Sequence, residues 1–172
     1  MTLTIMQACG VGPEDFGFEQ VSPERHSTEP VEIATGYLDD GSMVRDSRLM
    51  FPPLAAGGHG SPRGLLSFLY HLARAYNLPK GSSSGAITRD CARAMLGDTV
   101  DFGCFDFMKS RMGLGVFVAT AGPNKIMMHQ AANDGFRGLY MVCFEGPDAM
   151  KGFVINANGD NKVPFSQESL FS

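Results

Sequence analysis

The sequence has no run of lysine or arginine, no Cys-x-x-Cys pair and few charges of either sign. It also has no apolar stretch approaching the roughly 18 residues that a membrane span requires. Each absence excludes a class. With 14 basic and 18 acidic side chains the net charge is −4, so there is no electrostatic footprint for nucleic acid or an anionic membrane. Cys9, Cys91, Cys104 and Cys143 are too sparse in 172 residues for a disulfide framework, and read as reduced thiols. Met6-Gln7-Ala8-Cys9 is a weak match to a lipoprotein cleavage site, because no basic residue precedes it and the apolar stretch is short. A soluble, cytoplasmic protein is the expectation. His26, His59, His71 and His129 show no metal-ligand spacing, so neither a metal nor another cofactor is expected.

Hydrophobic residues make up 44% of the chain, and a chain of this length buries roughly 70% of its unfolded surface. One domain is therefore expected over 1–172. Charged residues are 19% of the chain, below the usual ~25%, and 21 glycines add many turns. A partner surface fits that composition, and a homo-oligomer or partner chain is expected to cover the edge of a sheet that is left open.

Residues 1–60 read as a loop-rich lead-in, punctuated by Pro13, Pro23, Pro30, Gly36 and Gly41, with Val31 to Tyr37 as its one credible strand. Helices are expected over 61–97. Ser61-Pro62 is an N-cap followed by proline at the first helical position, and Leu65, Leu66, Phe68, Leu69, Leu72, Ala73 and Tyr76 then recur at helical spacing until Pro79. A second helix follows on Ile87, Cys91, Ala92, Met95 and Leu96, ended by Gly97. Over 113–160 the period changes to that of strands, at Gly113 to Thr120, Lys125 to His129, Phe136 to Phe144 and Gly152 to Asn158. The turn signals between them join antiparallel neighbours. The fold class is α+β, with an antiparallel sheet of three or more strands packed against helices.

Gly81-Ser82-Ser83-Ser84-Gly85 has the Gly-x-Ser-x-Gly spacing of a nucleophile elbow, but that elbow follows a strand, and here a helix precedes it. A connector, with Ser84 capping the next helix, is the expectation. Asn156 to Asn161 has the look of a calcium loop, but its glycine is misplaced and Gln167 stands where a bidentate glutamate belongs. It reads as a tight turn.

His129-Gln130-Ala131-Ala132-Asn133-Asp134-Gly135-Phe136-Arg137, followed by Lys151-Gly152-Phe153-Val154-Ile155-Asn156-Ala157-Asn158-Gly159-Asp160, resembles the C-terminal part of the serine β-lactamase-related family. This group comprises class C β-lactamases, penicillin-binding D-alanyl-D-alanine peptidases, and related esterases and aminopeptidases. Many members carry His-x-Gly-x-Asn-x-Gly-Phe there. Ala34-Thr35-Gly36-Tyr37, Pro53-Leu54-Ala55-Ala56-Gly57-Gly58 leading to Ser61, and Met112-Gly113-Leu114-Gly115-Val116-Phe117 resemble family landmarks in the family's order. The resemblance implies a β-lactamase/transpeptidase-like fold and acyl transfer on an amide or ester. It also implies substrate binding by His129, Gln130, Ala131 and Asn133, with backbone groups near Ala131 assisting an oxyanion.

Two departures matter. Ala131 stands in place of the family's glycine, and its methyl is expected to crowd a bulky acyl group. No serine is followed three residues later by lysine; Ser22 and Ser42 have Arg25 and Arg45 there, and arginine does not deprotonate to act as a base. No Tyr-x-Asn or Tyr-x-Ser occurs at Tyr37, Tyr70, Tyr76 or Tyr140. The chain thus resembles an incomplete, C-terminal portion that is inactive alone, its small-molecule or peptide acyl substrate bound only when an N-terminal lobe completes it. The alternative is a non-catalytic binding or assembly module that kept the fold. A cysteine hydrolase using Cys91 or Cys104 with His129 has only composition behind it.

Overall fold

The computed structural model describes residues 2–12, 14–17, 34–44, 58–101 and 110–160. Val31 to Ile33, Pro53 to Gly57, His26, Arg25, Arg45, Cys104 and Gln167, all used above, lie outside the described residues. The elements in chain order are helix α1 (Thr2–Ala8), the strand pair β1 (Phe16–Gly17) and β2 (His59–Gly60), and helix α2 (Pro62–Asn77). The hairpin β3 (Ser83–Ser84) and β4 (Ile87–Thr88) and helix α3 (Arg89–Leu96) follow. Last comes one sheet of β5 (Arg111–Met112), β6 (Phe117–Ala121), β7 (Asn124–Asn133), β8 (Phe136–Glu145) and β9 (Gly152–Ala157).

α2 begins where its local chemistry dictates. The Ser61 hydroxyl accepts the Gly64 N–H at 3.0 Å, Pro62 opens the first turn, and the same hydroxyl donates to Asp15 Oδ1 at 2.7 Å. Gly64 is required there, since a Cβ would lie 2.6 Å from the Asp15 carbonyl oxygen. Leu69, Leu72, Ala73, Ala75 and Tyr76 are buried, Leu65 and Phe68 are partly buried against the core, and Leu66 and Tyr70 are exposed. The helix thus presents one apolar stripe to the sheet.

The sheet is an antiparallel meander in the order β5-β6-β7-β8-β9. Alternation along its strands puts Val118, Met127, Val142 and Phe144 in the core shared with α2 and α3. Ala119, Met128, Leu139 and Cys143 are also buried, and their register places them on the opposite face. Asn77 Nδ2 donates to the Phe144 carbonyl at 2.6 Å, fastening the end of α2 to β8. At the same corner the Arg93 guanidinium lies 3.7 Å from the Tyr76 ring centroid, and Tyr76 meets Phe144 edge-on at 4.8 Å.

The structure is an α+β arrangement of one five-stranded antiparallel sheet with helices. It differs from the sequence expectation at several places. The strand expected from Gly113 to Thr120 forms only over Phe117–Ala121, because the chain bends at 114–116, where Gly115 has a φ of +77°. Residues 2–8 of the lead-in are helical, although seven residues make a marginal helix alone; Met6, Cys9 and Val11 are buried in the core around it, so packing supplies what propensity does not. Gly81 to Gly85 is not a plain connector, because Ser83 pairs with Thr88 and Ser84 with Ile87. Ile87 therefore belongs to a strand, and Thr88, not Ser84, caps α3 by accepting the Cys91 N–H. β7 does not end at His129 but runs to Asn133, because Asp134-Gly135 makes a two-residue turn that pairs Asn133 with Phe136. No helix among the described residues is long and apolar enough to cross a membrane.

Candidate functional site

β7 and β8 are ten-residue strands whose register fixes the surroundings of the His129 segment. His129 pairs with Tyr140, Gln130 with Leu139, Ala131 with Gly138 and Asn133 with Phe136. Alternation puts His129, Ala131 and Asn133 on the face that carries Met127, and Gln130 on the face that carries Met128. Three of the four residues read from the sequence are therefore brought together. Gln130 is not with them.

His129 is exposed, and its ring sits among aromatics. The Tyr140 ring lies 6.3 Å away in a stacked orientation, and the Phe117 ring 5.4 Å away at a tilt of 40°. Burial pushes the Tyr140 phenol far above its ordinary range. At neutral pH Tyr140 is a proton donor and no base, so the one tyrosine stacked on His129 does not replace the base that acyl transfer needs.

Ala131 is exposed, and the residue across from it has no side chain. A Cβ on Gly138 would lie 3.4 Å from both the Ala131 Cβ and Asn156 Oδ1. The Ala131 methyl thus borders a space that a larger residue at 138 would fill, with Asn156 of β9 on its far side. The chemistry this strip offers is limited: an exposed imidazole, an aromatic wall, and the amide side chains of Asn133 and Asn156. Among the described residues no group of three or more His, Cys, Asp or Glu side chains is placed to hold a metal ion.

The end of the strip is fixed by Arg137 and Asp160, a pair that no local spacing in the sequence signals. Asp160 Oδ1 accepts from Arg137 Nη1 at 2.8 Å and from the Gly135 N–H at 2.8 Å. Arg137 Nη1 also donates to the carbonyls of Asn133 at 2.6 Å and Phe136 at 2.8 Å. The turn at the end of β7 is thereby tied to the end of β9. Gly135 is needed there twice, for a φ of +74° and because a Cβ would come 2.9 Å from the Gly36 backbone.

A second polar pair lies apart from this strip. Ser84 Oγ is 2.8 Å from His71 Nδ1, joining the β3–β4 hairpin to α2. Ser84 is 4% exposed, so its hydroxyl is shielded from a substrate in solution. The centre of the Gly-x-Ser-x-Gly spacing is Ser83, which is exposed on a hairpin and not at a strand-to-helix elbow. Cys91 is exposed on α3, while Cys9 and Cys143 are buried, and burial raises both of the latter thiols.

No protein-family model matches the chain, and no curated protein matches it by sequence. Comparison with solved structures gives a match to the D-amino acid amidase of Ochrobactrum anthropi SV3, solved in complex with D-phenylalanine. The chain is similar in fold to part of that amidase. The TM-score is 0.53 at 16% identity, with 87% of this chain covered. The match spans 44% of the amidase. At that identity the likeness concerns the fold alone.

Proposed function

We propose that the chain is the C-terminal portion of a serine β-lactamase-related hydrolase, acting by acyl transfer on amide or ester substrates and inactive without a lobe that supplies the nucleophile. The observation that carries this reading is the fold likeness to an amidase over 87% of the chain. In a completed enzyme β7 flanks the acyl group. His129 and Asn133 face it from one side of the strand, and Ala131 over Gly138 limits its width. Gln130, on the other face, acts only through the backbone of the strand. The absence of Ser-x-x-Lys and Tyr-x-Asn from the chain favours the second reading, a binding or assembly module that kept the fold without the chemistry.

One experiment separates the two. The chain alone is expected neither to hydrolyse a p-nitrophenyl ester or a chromogenic β-lactam nor to form an adduct with a fluorophosphonate. Co-expression with an N-terminal lobe carrying Ser-x-x-Lys and Tyr-x-Asn is expected to produce turnover, and His129→Ala to reduce it on the order of a hundredfold. Failure of every such lobe to yield turnover would support the binding module. Stoichiometric labelling of the isolated chain at one serine, with Ser61 and Ser82 to Ser84 the first to inspect, would overturn inactivity of the chain alone.

A further inference from the structure

The chain contains six asparagines, and only Asn158 is followed by glycine. Asparagine is a thermolabile residue. Its degradation begins when the backbone nitrogen of the next residue attacks the side-chain carbonyl carbon, and a following glycine favours the step because it has no Cβ and rotates freely. Asn158 is exposed, and it lies beyond the end of β9 in a bend. Among the described residues a Cβ at Gly159 would meet nothing within 4 Å, so no side chain crowds the Gly159 Cα, although the residues on either side of it are held by hydrogen bonds.

The turn between β7 and β8 offers a contrast. Asp134 is also exposed and followed by a glycine. There the attacking nitrogen is engaged, since the Gly135 N–H donates to Asp160 Oδ1 at 2.8 Å, and the glycine is packed against Val44 and Gly36. The same chemistry is blocked at 134 and open at 158.

We infer that Asn158 is a site of spontaneous deamidation whose product releases segment 34–44 from the sheet. The Gly159 nitrogen loses its proton and forms a bond to Asn158 Cγ. The bond from Cγ to Nδ2 breaks, and the leaving nitrogen departs as ammonia. Water then opens the cyclic imide at either carbonyl, giving aspartate or isoaspartate.

Both products are damaging at this place. Asn158 Nδ2 donates to the Thr35 carbonyl at 3.0 Å, and a carboxylate there has no proton to donate and sets oxygen against oxygen. Isoaspartate also inserts a methylene into the backbone two residues before Asp160. The Asp160 N–H holds the Tyr37 carbonyl at 3.0 Å, and its carboxylate holds the turn of the candidate site. The new charge therefore loosens both ends of one clamp.

The test is to hold the purified chain in mildly alkaline buffer and follow all six asparagines by peptide mapping, with enzymatic methylation to detect isoaspartate. Asn158 is expected to convert first. Gly159→Ala, which has room for its methyl, is expected to slow conversion several-fold with an unchanged thermal midpoint. Hydrogen exchange of residues 34–44 and of the Gly135 amide is expected to accelerate in Asn158→Asp relative to the parent chain. The inference is overturned if another asparagine converts before Asn158, if Gly159→Ala folds and converts as fast as the parent, or if exchange in Asn158→Asp is unchanged.

Discussion

Asp160 and Arg137 meet at 2.8 Å with 15% of each side chain exposed, and they close the β7–β8 turn against the end of β9. Because the pair is largely withdrawn from water, removing one member strands the other.

Asp160→Ala is accordingly expected to destabilise the chain by about 3 kcal/mol. Asp160→Asn keeps an oxygen for the Gly135 N–H and loses only the charge, so a smaller loss of about 1–2 kcal/mol is expected. Urea denaturation measures both. Equal losses would mean that the hydrogen bond to the Gly135 N–H contributes nothing once the charge is gone.

Leu69 is 1% exposed on α2, one position removed from the exposed Tyr70. Leu69→Ala is expected to cost about 2–5 kcal/mol, as the lost transfer energy and the cavity add. Leu66→Ala on the exposed side is expected to lie within about 0.5 kcal/mol of the parent. Thermal unfolding of the two variants side by side checks which stripe of the helix is inside.

Glu145 supplies a pH dependence. Its carboxylate accepts from the Tyr76 hydroxyl and from Lys125, whose ammonium is 3.0 Å away, and these hydrogen bonds hold its pKa below the ordinary value of 4.5. A depressed folded pKa means that the unfolded chain takes up the proton first as the pH falls. The stabilisation is therefore full above about pH 4.5 and is lost as the pH drops through the lower folded value. Glu145→Gln is expected to flatten the acid limb of the stability profile while leaving its slope above pH 6 unchanged, roughly two log units from the group's titration.

What the sequence made legible was local. The Ser61 cap, the proline after it and the helical spacing as far as Asn77 are settled within a few residues of one another, and the structure follows them. Asp134-Gly135 likewise specifies its two-residue turn, and that turn carries β7 past His129 to Asn133. The alternation that sets Gln130 on the face opposite His129 was also present in the sequence, as period two along a strand. What was not legible depends on distant partners. α1 exists through burial of Met6 and Cys9, β5 is two residues that need β6 beside them, and Ser84 finds His71 across a hairpin. Arg137 and Asp160 are 23 residues apart (160 − 137 = 23), and no spacing rule joins them until β8 and β9 are in register.

The strand order of the sheet repeats the order of the chain, and this sets its entropy. The connections are 122–123 and 134–135, two residues each, and 146–151, six residues, so each closes a short loop. Loop closure costs about (3/2)RT ln n, so β6 to β9 come together through a series of small closures, with no crossover to thread. Wider closures join α2 to β8, where Asn77 bonds to a carbonyl 67 residues further along the chain, and Thr35 to Asn158, 123 residues apart. The sheet is thus a locally determined unit. The relation of helix to sheet, on which the core at Leu69, Leu72 and Phe144 depends, is the globally determined one.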